Sequence, residues 1–271
     1  MRIRIRHATR YRYDKPIDLA AQVVRLMPRD HEGQRVLSWR VADADGRILP
    51  MFEDGFGNRC HLVTITRRHE ESAIVAEGEI ETADTSGVVN GAIDPLPPSY
   101  FLRRSEATMP DTAIQALAHS HEGVSDPIER LHRLMTEVRS RVTYEIGSTS
   151  VVTSAAEVLA RGRGVCQDHA HVLISAARVM GYPARYVSGY LWDGAVTAPT
   201  EASHAWAEIR IEQVGWVGFD PANGVSPTAA YVRVATGLDY SDAAPVRGIR
   251  RGEAAETLAV SVEVQQVQAQ Q

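Results

Sequence analysis

Cysteine is scarce in this chain of 271 residues, which contains only Cys60 and Cys166. Two cysteines are too few for the disulfide framework of a small secreted domain, and they offer no Cys-x-x-Cys clip for a metal ion. No stretch reaches the roughly 18 apolar residues that a membrane-spanning helix needs. The first residues, Met1–Arg6, alternate like a β-strand and lack the apolar region of a signal peptide. We therefore expect a cytoplasmic protein with at least one free thiol and no membrane partner.

The sequence also lacks a strong excess of either charge. Its 34 acidic and 29 basic residues give a formal net charge of −5. This balance creates no field that would gather nucleic acid or anionic lipid, so we expect no nucleic-acid partner. Apolar residues make up 44% of the chain, which is enough to fill the core of one large domain or two smaller ones.

Two kinds of pattern follow each other along the chain. Short alternating runs such as Leu62–Thr66, separated by turn signals, predict an antiparallel β-rich domain over residues 1–82. A segment rich in Asp, Ser, Gly and Pro then begins, and we expect a linker over residues 83–105. Residues 106–250 show helical spacing first and strand patterns second, which indicates an α+β domain. Residues 251–271 are expected to add a strand and a polar tail.

The second domain has the clearest element signals. Apolar spacing, caps and turn residues predict helices over Thr112–His119 and Pro127–Arg141, and a third from Val165 or Cys166 to Met180. Strands are predicted over Ala184–Leu191, Ser203–Ile211 and Trp216–Phe219. The connection Ala195–Ala202 has the length of a lid.

The position of Cys166 favours a reactive thiol. A flexible turn, Gly162–Val165, delivers Cys166 to the start of a predicted helix. Unpaired amides and the positive end of the helix dipole favour the thiolate there, and the thiolate is the nucleophilic form. Cys60 lies just past a turn at the start of a strand, and we expect it to be a small buried residue. Cys166 would also be read as a buried residue if no partner side chains accompanied it.

A histidine and an aspartate supply such partners. If the strands that carry His204 and Asp220 form a hairpin turning near Glu212–Gly215, the two side chains lie almost opposite each other on one face. The thiolate of Cys166 would then attack an amide carbonyl, the imidazolium would protonate the leaving amine, and the carboxylate would orient the ring. Taken singly, His204 could be an ordinary strand histidine and Asp220 a turn former before Pro221.

Other polar residues near the thiol suggest a metal site. Asp168, His169 and His171 lie close to Cys166 in sequence, but side chains two residues apart on a helix point about 200° apart, so the two histidines cannot share one ion. A site made of Cys166, His169 and His204 remains as an alternative. It leaves Asp220 without a role, and we predict neither a metal nor a cofactor.

Several longer motifs resemble the bacterial transglutaminase-like superfamily. In the second domain they are Gly162–Asp168, Gly181–Tyr190, His204–Glu208 and Trp216–Pro221, and in the first domain Arg25–Arg29 and Asp54–Asn58. The Cys, His and Asp of these motifs stand in the order found in that superfamily. The resemblance covers nearly the whole chain apart from the tail.

The resemblance implies a papain-like transglutaminase core, of α+β class, behind a β-rich domain. Cys166 would be the nucleophile, His204 the base and Asp220 the orienting acid. The oxyanion would bind the backbone N–H of Cys166 and a second donor, for which Tyr144 is the candidate, although it could equally be a core tyrosine. Asp168 and His169 depart from the apolar or aromatic residues expected just after the nucleophile.

The implied activity is thiol-dependent hydrolysis of peptide or side-chain amide bonds, by a protease or amidase acting on a peptide or protein. Acyl transfer to an amine shares the first half of that mechanism and is the first alternative. A peptide-binding scaffold without catalysis is the second, and a metal-dependent hydrolase is the third.

Overall fold

Strands dominate the amino-terminal part of the chain. The computed structural model describes residues 1–194 and 203–267, so the expected lid, Ala195–Ala202, lies outside the described residues. The strands of the first part are β1 (Arg2–Ile17), β2 (Leu19–Met27), β3 (Gln34–Asp43), β4 (Met51–Glu53), β5 (Arg59–Ile65), β6 (His69–Thr82) and β7 (Val88–Val89). In β1 the isoleucines Ile3 and Ile5 are buried while Arg2 and Arg4 are exposed, as the alternation of the sequence requires.

The following part of the chain begins with helices. Two short 3₁₀ turns, Pro98–Leu102 and Glu106–Thr108, lead into it. Its elements are α1 (Thr112–His119), α2 (Pro127–Arg141), β8 (Thr143–Tyr144), α3 (Ala155–Arg161), β9 (Arg163–Gly164), α4 (Cys166–Val179), β10 (Ala184–Leu191), β11 (Ser203–Ile211), β12 (Gly215–Phe219), β13 (Tyr231–Gly237), α5 (Tyr240–Ala243), β14 (Val246–Arg251) and β15 (Glu256–Gln266). The predicted helices α1, α2 and α4 and strands β10 to β12 are confirmed to within one residue, whereas α3 and β13 were not predicted. No helix in the described ranges is long and apolar enough to cross a membrane.

The last strands of the chain return to the first domain. Strand β15 pairs with β1 in a sheet of order β15-β1-β6-β3, and β14 pairs with β2 in a sheet of order β14-β2-β5-β4. All neighbouring strands in both sheets are antiparallel. The β-rich domain is therefore built from both ends of the described chain, and the boundary predicted at residue 250 falls inside β14.

A third antiparallel sheet forms the second domain, in the order β13-β10-β11-β12-β7. Helix α4 packs against β10 and β11, and every one of its residues from Asp168 to Arg178 is buried. Strand β7, which lies in the segment expected to be a linker, adds the outermost strand through its pairing with β12. This arrangement of a central helix on an antiparallel sheet confirms the α+β class.

Two side-chain amides join the β-rich domain to strand β13. The amide of Asn58 donates to the backbone oxygen of Thr236 and accepts from its N–H, both at 2.8 Å. Gln34 makes the same pair of contacts with the backbone of Arg233, again at 2.8 Å. An amide side chain carries one donor group and one acceptor, so it can satisfy a strand's unpaired backbone as a neighbouring strand would. The β-rich domain thus covers this edge of the core sheet.

A buried network of charged side chains links strands β10, β11 and β13 of the sheet in the second domain. Glu208 is fully buried and accepts from Arg185 Nε at 2.7 Å and from Arg233 Nε at 2.8 Å. Burial alone would raise the pKa of Glu208, but the two guanidinium groups lower it to about 2. Arg185 also binds Asp94 and lies 3.9 Å from the ring centre of Trp216. These contacts hold the segment around residue 94 against the core.

Candidate active site

Cys166 stands at the first position of α4, as the sequence predicts. The chain turns sharply before it, because Gly162 adopts a left-handed conformation with φ of 67° at the end of α3. Asp168, the third residue of α4, accepts from the backbone N–H of Val165 at 2.8 Å and from Thr149 Oγ1 at 2.6 Å. A Cβ at Gly164 would lie 2.7 Å from the Cβ of Asp168, so only glycine fits there. These contacts fix the direction in which the chain enters the helix.

His204 and Asp220 meet at the end of the β11–β12 hairpin. The Nε2 atom of His204 lies 2.6 Å from Oδ2 of Asp220. The hairpin pairs Ala207 with Phe219, so one further step sets Asp220 opposite Trp206 and diagonal to His204. The predicted contact on one face is confirmed, but the two residues are diagonal neighbours and not opposite ones.

The carboxylate of Asp220 is buried and accepts five hydrogen bonds. Its Oδ1 atom accepts from the backbone N–H groups of Ala222 and Asn223 at 3.0 and 3.2 Å. Its Oδ2 atom accepts from Asn223 Nδ2 and Tyr231 Oη, both at 2.7 Å, in addition to His204. Burial alone would raise the pKa of Asp220, but hydrogen bonds from His204, Asn223 and Tyr231 lower it. A fully ionised, immobile carboxylate follows from this environment.

His204 is held between this carboxylate and the thiol. Its burial alone would lower the pKa, but hydrogen bonds with Asp220 and with Cys166 raise the pKa of His204 to about 10. Because Nε2 faces Asp220, Nδ1 is the ring nitrogen left for the sulfur. Trp206 stacks on the imidazole with ring centres 6.2 Å apart. At neutral pH the ring is therefore an imidazolium, oriented by one partner and positioned to interact with the other.

Tyr144 lies at the rim of the same cleft. Strand β8 pairs in parallel with β9, which places Tyr144 beside Gly164, two residues before Cys166. Burial, the charge of Cys166 and a hydrogen bond to its sulfur all raise the pKa of Tyr144, so the hydroxyl keeps its proton. The side chain is 52% exposed, which does not fit its alternative interpretation as a core tyrosine. The structure thus brings all four predicted site residues together.

The two histidines of α4 point away from the thiol. Both ring nitrogens of His169 face backbone oxygens, Nδ1 that of Val165 at 2.9 Å and Nε2 that of Val142 at 2.8 Å. His171 accepts from the backbone N–H of Tyr240 at 3.1 Å, and burial lowers the pKa of His171 to about 4. Because both of its ring nitrogens face backbone oxygens, the side chain of His169 is not directed toward Cys166 as the alternative metal site would require. No group of three potential metal ligands occurs within residues 1–194 and 203–267.

The cleft above the thiol has a volume of about 360 Å³. Among the described residues, its lining carries no carboxylate, lysine or arginine side chain. The lining residues are Tyr144, Ile146, Val165, Cys166, Gln167, Tyr186, Ser188, Ser203, His204, Ala205, Tyr240 and Pro245. This surface suits an uncharged ligand.

Two residues of the site were not found from the sequence. Asn223 follows Asp220 in the turn Asp-Pro-Ala-Asn, and its proximity alone was a usable signal. Tyr231 begins β13, and no pattern in the sequence marks it as a partner of the carboxylate. Both donate to the oxygen that faces His204, so they hold the acid in place.

Comparison with protein families gives two matches. Residues 115–221 match the model of the transglutaminase-like superfamily, and residues 3–81 match the bacterial transglutaminase-like N-terminal region. The first range contains Cys166, His204 and Asp220. The second contains most of the strands of the β-rich domain.

Relatives and a solved structure extend these matches over the whole chain. The uncharacterized protein ML0607 of Mycobacterium leprae is 32% identical over 97% of this chain and 98% of its own length. The uncharacterized protein Rv2569c of Mycobacterium tuberculosis is 29% identical over 92% of this chain and 87% of its own length. A crystal structure described as "a Putative Cysteine Protease from Cytophaga hutchinsonii" superposes with a TM-score of 0.76 and 22% identity, over 100% of this chain and 92% of that one. The predicted fold, an α+β core that follows a β-rich domain, is confirmed.

Proposed function

Because the chain belongs to the transglutaminase-like superfamily, we propose that it is a thiol-dependent hydrolase of peptide or side-chain amide bonds. Its catalytic residues would be Cys166, His204 and Asp220, with Tyr144 as a donor to the oxyanion. The observation that carries the proposal is the single chain of contacts from Asp220 through His204 to Cys166, at the start of a helix and open to a cleft.

In the first step the thiolate of Cys166 attacks the carbonyl carbon of the amide, and a carbon–sulfur bond forms. The carbonyl oxygen becomes an oxyanion that accepts from the backbone N–H of Cys166 and from the Tyr144 hydroxyl. His204 then gives the proton on Nδ1 to the amide nitrogen, the carbon–nitrogen bond breaks, and the amine leaves. An acyl-thioester on Cys166 and a neutral His204 remain.

In the second step a water molecule attacks the thioester carbonyl while His204 takes one of its protons. The carbon–sulfur bond breaks, the acid product leaves, and the thiolate–imidazolium pair is restored. Asp220 holds the ring in one orientation throughout and stays ionised, because its five hydrogen bonds favour the charged form. Every proton that moves in these two steps is held by a side chain of this protein, the substrate or water.

Exposure of the cleft favours water over an amine as the acyl acceptor. Tyr144 and Cys166 are both partly exposed, so water reaches the carbonyl carbon of the thioester. Acyl transfer to an amine competes with hydrolysis only where the site keeps water away from the intermediate. Transglutaminase-type transfer therefore remains the second candidate, and a peptide-binding scaffold the third.

The proposal is tested by product analysis on a mixed library of tryptic peptides, with and without dansylcadaverine as an amine acceptor. We expect mass spectrometry to show peptides cleaved or deamidated by the parent protein and by Cys60→Ser, and none by Cys166→Ala or His204→Ala. If the amount of dansylcadaverine incorporated equalled the amount of substrate amide lost, the activity would be acyl transfer and not hydrolysis. Equal, unchanged peptide profiles for the parent and Cys166→Ala would favour the scaffold.

We further propose that the protein acts in the cytoplasm, where reducing conditions keep a reactive thiol free. Neither cysteine is paired in a disulfide. Fractionation of the producing cells, followed by immunodetection, tests this location.

A further inference from the structure

A second groove adjoins the catalytic cleft. It has a volume of about 510 Å³ and lies between α5, the loop before α3 and strands of the β-rich domain. Tyr240 lines both the groove and the cleft. The last cleft residue along the chain, Pro245, is followed directly by Val246, which lines the groove. A substrate in the cleft can therefore continue into the groove without leaving the surface.

The groove has an open strand along one side. Strand β14 is the outer strand of its sheet, with β2 as its partner on one side and no strand partner among the described residues on the other. The five residues from Arg247 to Arg251 are exposed. An outer strand presents unpaired N–H and C=O groups, and an extended peptide can pair with them as an additional strand.

Large apolar side chains surround this strand and face solvent. They belong to the β-rich domain on one side, with Ile249 and Leu258, and to the loop before α3 on the other, with Val151 and Val152. Ile249 is 71% exposed and Val152 83% exposed. Soluble proteins seldom gather such side chains around one groove unless a partner covers them.

The charged groups in the groove are largely occupied with each other or with backbone. Arg250 and Glu256 form an ion pair at 3.4 Å. Arg247 donates to the backbone oxygen of Ser241 at 3.2 Å. These contacts leave the groove without a strong net charge, so the groove suits an apolar occupant.

We propose that β14 and the apolar side chains around it bind the substrate polypeptide on one side of the reacting residue. The peptide lies extended along the open edge of β14 and places an apolar side chain against Ile249 and Val152. This inference rests on the proposed function, since it assumes that a peptide reacts at Cys166. It assigns the β-rich domain a role in selecting extended substrates with an apolar residue away from the reaction centre.

Geometry sets the position of that apolar residue. Ile249 is four residues beyond Pro245, and four residues of extended strand span about 13 Å. A peptide strand paired with β14 has the same rise, so the apolar side chain lies about four residues from the reacting carbonyl. Shorter substrates fill only the cleft.

The test measures the rate at which peptide electrophiles alkylate Cys166, because alkylation needs no turnover. The probes are N-chloroacetyl peptides and peptidyl chloromethyl ketones, so that the peptide extends from the electrophile in either direction. Each series contains one-residue and six-residue members, the latter with leucine or aspartate at the fourth residue. The protein is the full chain in a Cys60→Ser background, to which Ile249→Asp or the control Ile48→Asp is added. Ile48 is 65% exposed and lies on the same domain outside the groove.

We expect the leucine hexapeptide of one series to react about tenfold faster than its one-residue probe. The gain is the free energy of burying one apolar side chain, reduced by the free energy that ordering the peptide costs. The gain should disappear in Ile249→Asp and with the aspartate peptide, and persist in Ile48→Asp. Only alternate N–H groups of the hexapeptide would face β14. N-methylation of that set of alternate amides should therefore abolish the rate gain, whereas N-methylation of the other set should leave the gain unchanged.

Equal rates for short and long probes in both series would overturn the inference, as would an equal loss in the two isoleucine variants. A gain that is indifferent to N-methylation at every position would overturn the strand pairing. Failure of the proposed function has a different signature. In that case even iodoacetamide and the one-residue probes react with Cys166 at the rate of an ordinary thiol, and His204→Ala leaves that rate unchanged.

Discussion

Replacement of Asp220 by asparagine removes one charge from the site and keeps the size of the side chain. In the native protein the Oδ2 atom accepts from three donors, one of which is His204 Nε2 at 2.6 Å. Asparagine can place its N–H₂ group against the donors that face Oδ2. It can instead place its oxygen there, and then its N–H₂ group meets the two backbone N–H groups that donate to Oδ1 in the native protein. In both orientations the imidazolium loses its anionic partner, so we expect the pKa of His204 to fall, because the carboxylate no longer opposes the effect of burial.

The size of the effect follows from the fraction of thiolate. While His204 is an imidazolium, it stabilises the thiolate of Cys166 in the resting protein. A free cysteine without such a partner is only about 3% thiolate at pH 7. Alkylation by iodoacetamide should therefore be about 30-fold slower in Asp220→Asn than in the parent at pH 7. The two rates should converge above about pH 9.5, where an ordinary thiol is itself ionised.

The assay is the rate of Cys166 alkylation between pH 5 and pH 10 in a Cys60→Ser background, with thermal unfolding of each variant as a check on folding. Tyr231→Phe is the matched control, because it removes one hydrogen bond at 2.7 Å from the same oxygen and leaves the charge. It should keep the low-pH plateau of the parent. Rates of Asp220→Asn that coincide with the parent, or that are lower by one factor at every pH, would refute the reasoning.

Two further predictions concern the oxyanion donor and the buried ion network. Tyr144→Phe should lower kcat for amide hydrolysis by about tenfold to a hundredfold. Its alkylation rate should fall much less than kcat, because alkylation forms no oxyanion and loses only the hydrogen bond from Tyr144 to the sulfur. An equal loss in both assays would contradict the assigned role. Arg185→Met should lower the free energy of unfolding by about 3 kcal/mol in urea titrations, because it removes one of two cations from a fully buried Glu208. The exposed Arg35 serves as control, since its replacement by methionine should have no measurable effect.

Much of the site could be predicted from the sequence because its parts are local. A glycine-rich turn before a helical pattern fixes Cys166 at a helix start, and the structure places it at the first residue of α4. A hairpin with a short turn brings its two strands into register, which is why His204 and Asp220 were expected to meet. The diagonal offset between them depends on the register of the turn, and a shift of two residues is not visible in the strand patterns.

The parts that could not be predicted depend on contacts between distant residues. The pairing of β14 with β2 joins residues more than 200 positions apart, and the sequence of neither strand indicates which strand it pairs with. Tyr231 reaches Asp220 only because β13 lies beside β10 in the core sheet. A β-strand shows from its alternation which face is buried, but several strands of similar length satisfy the same pattern. The groove beside β14 was hidden for this reason.

His169 shows how a local departure from an expected pattern acquires a physical reason in three dimensions. The position was expected to hold an apolar or aromatic residue, and histidine suggested a metal ligand. In the structure its ring lies between two backbone oxygens, that of Val165 just before Cys166 and that of Val142 just before β8. A carbonyl oxygen only accepts, and each ring nitrogen that carries a proton can donate to the oxygen that it faces. The segments that carry Cys166 and Tyr144 are thereby held by one side chain, which an aromatic ring without nitrogen could pack between but not bind.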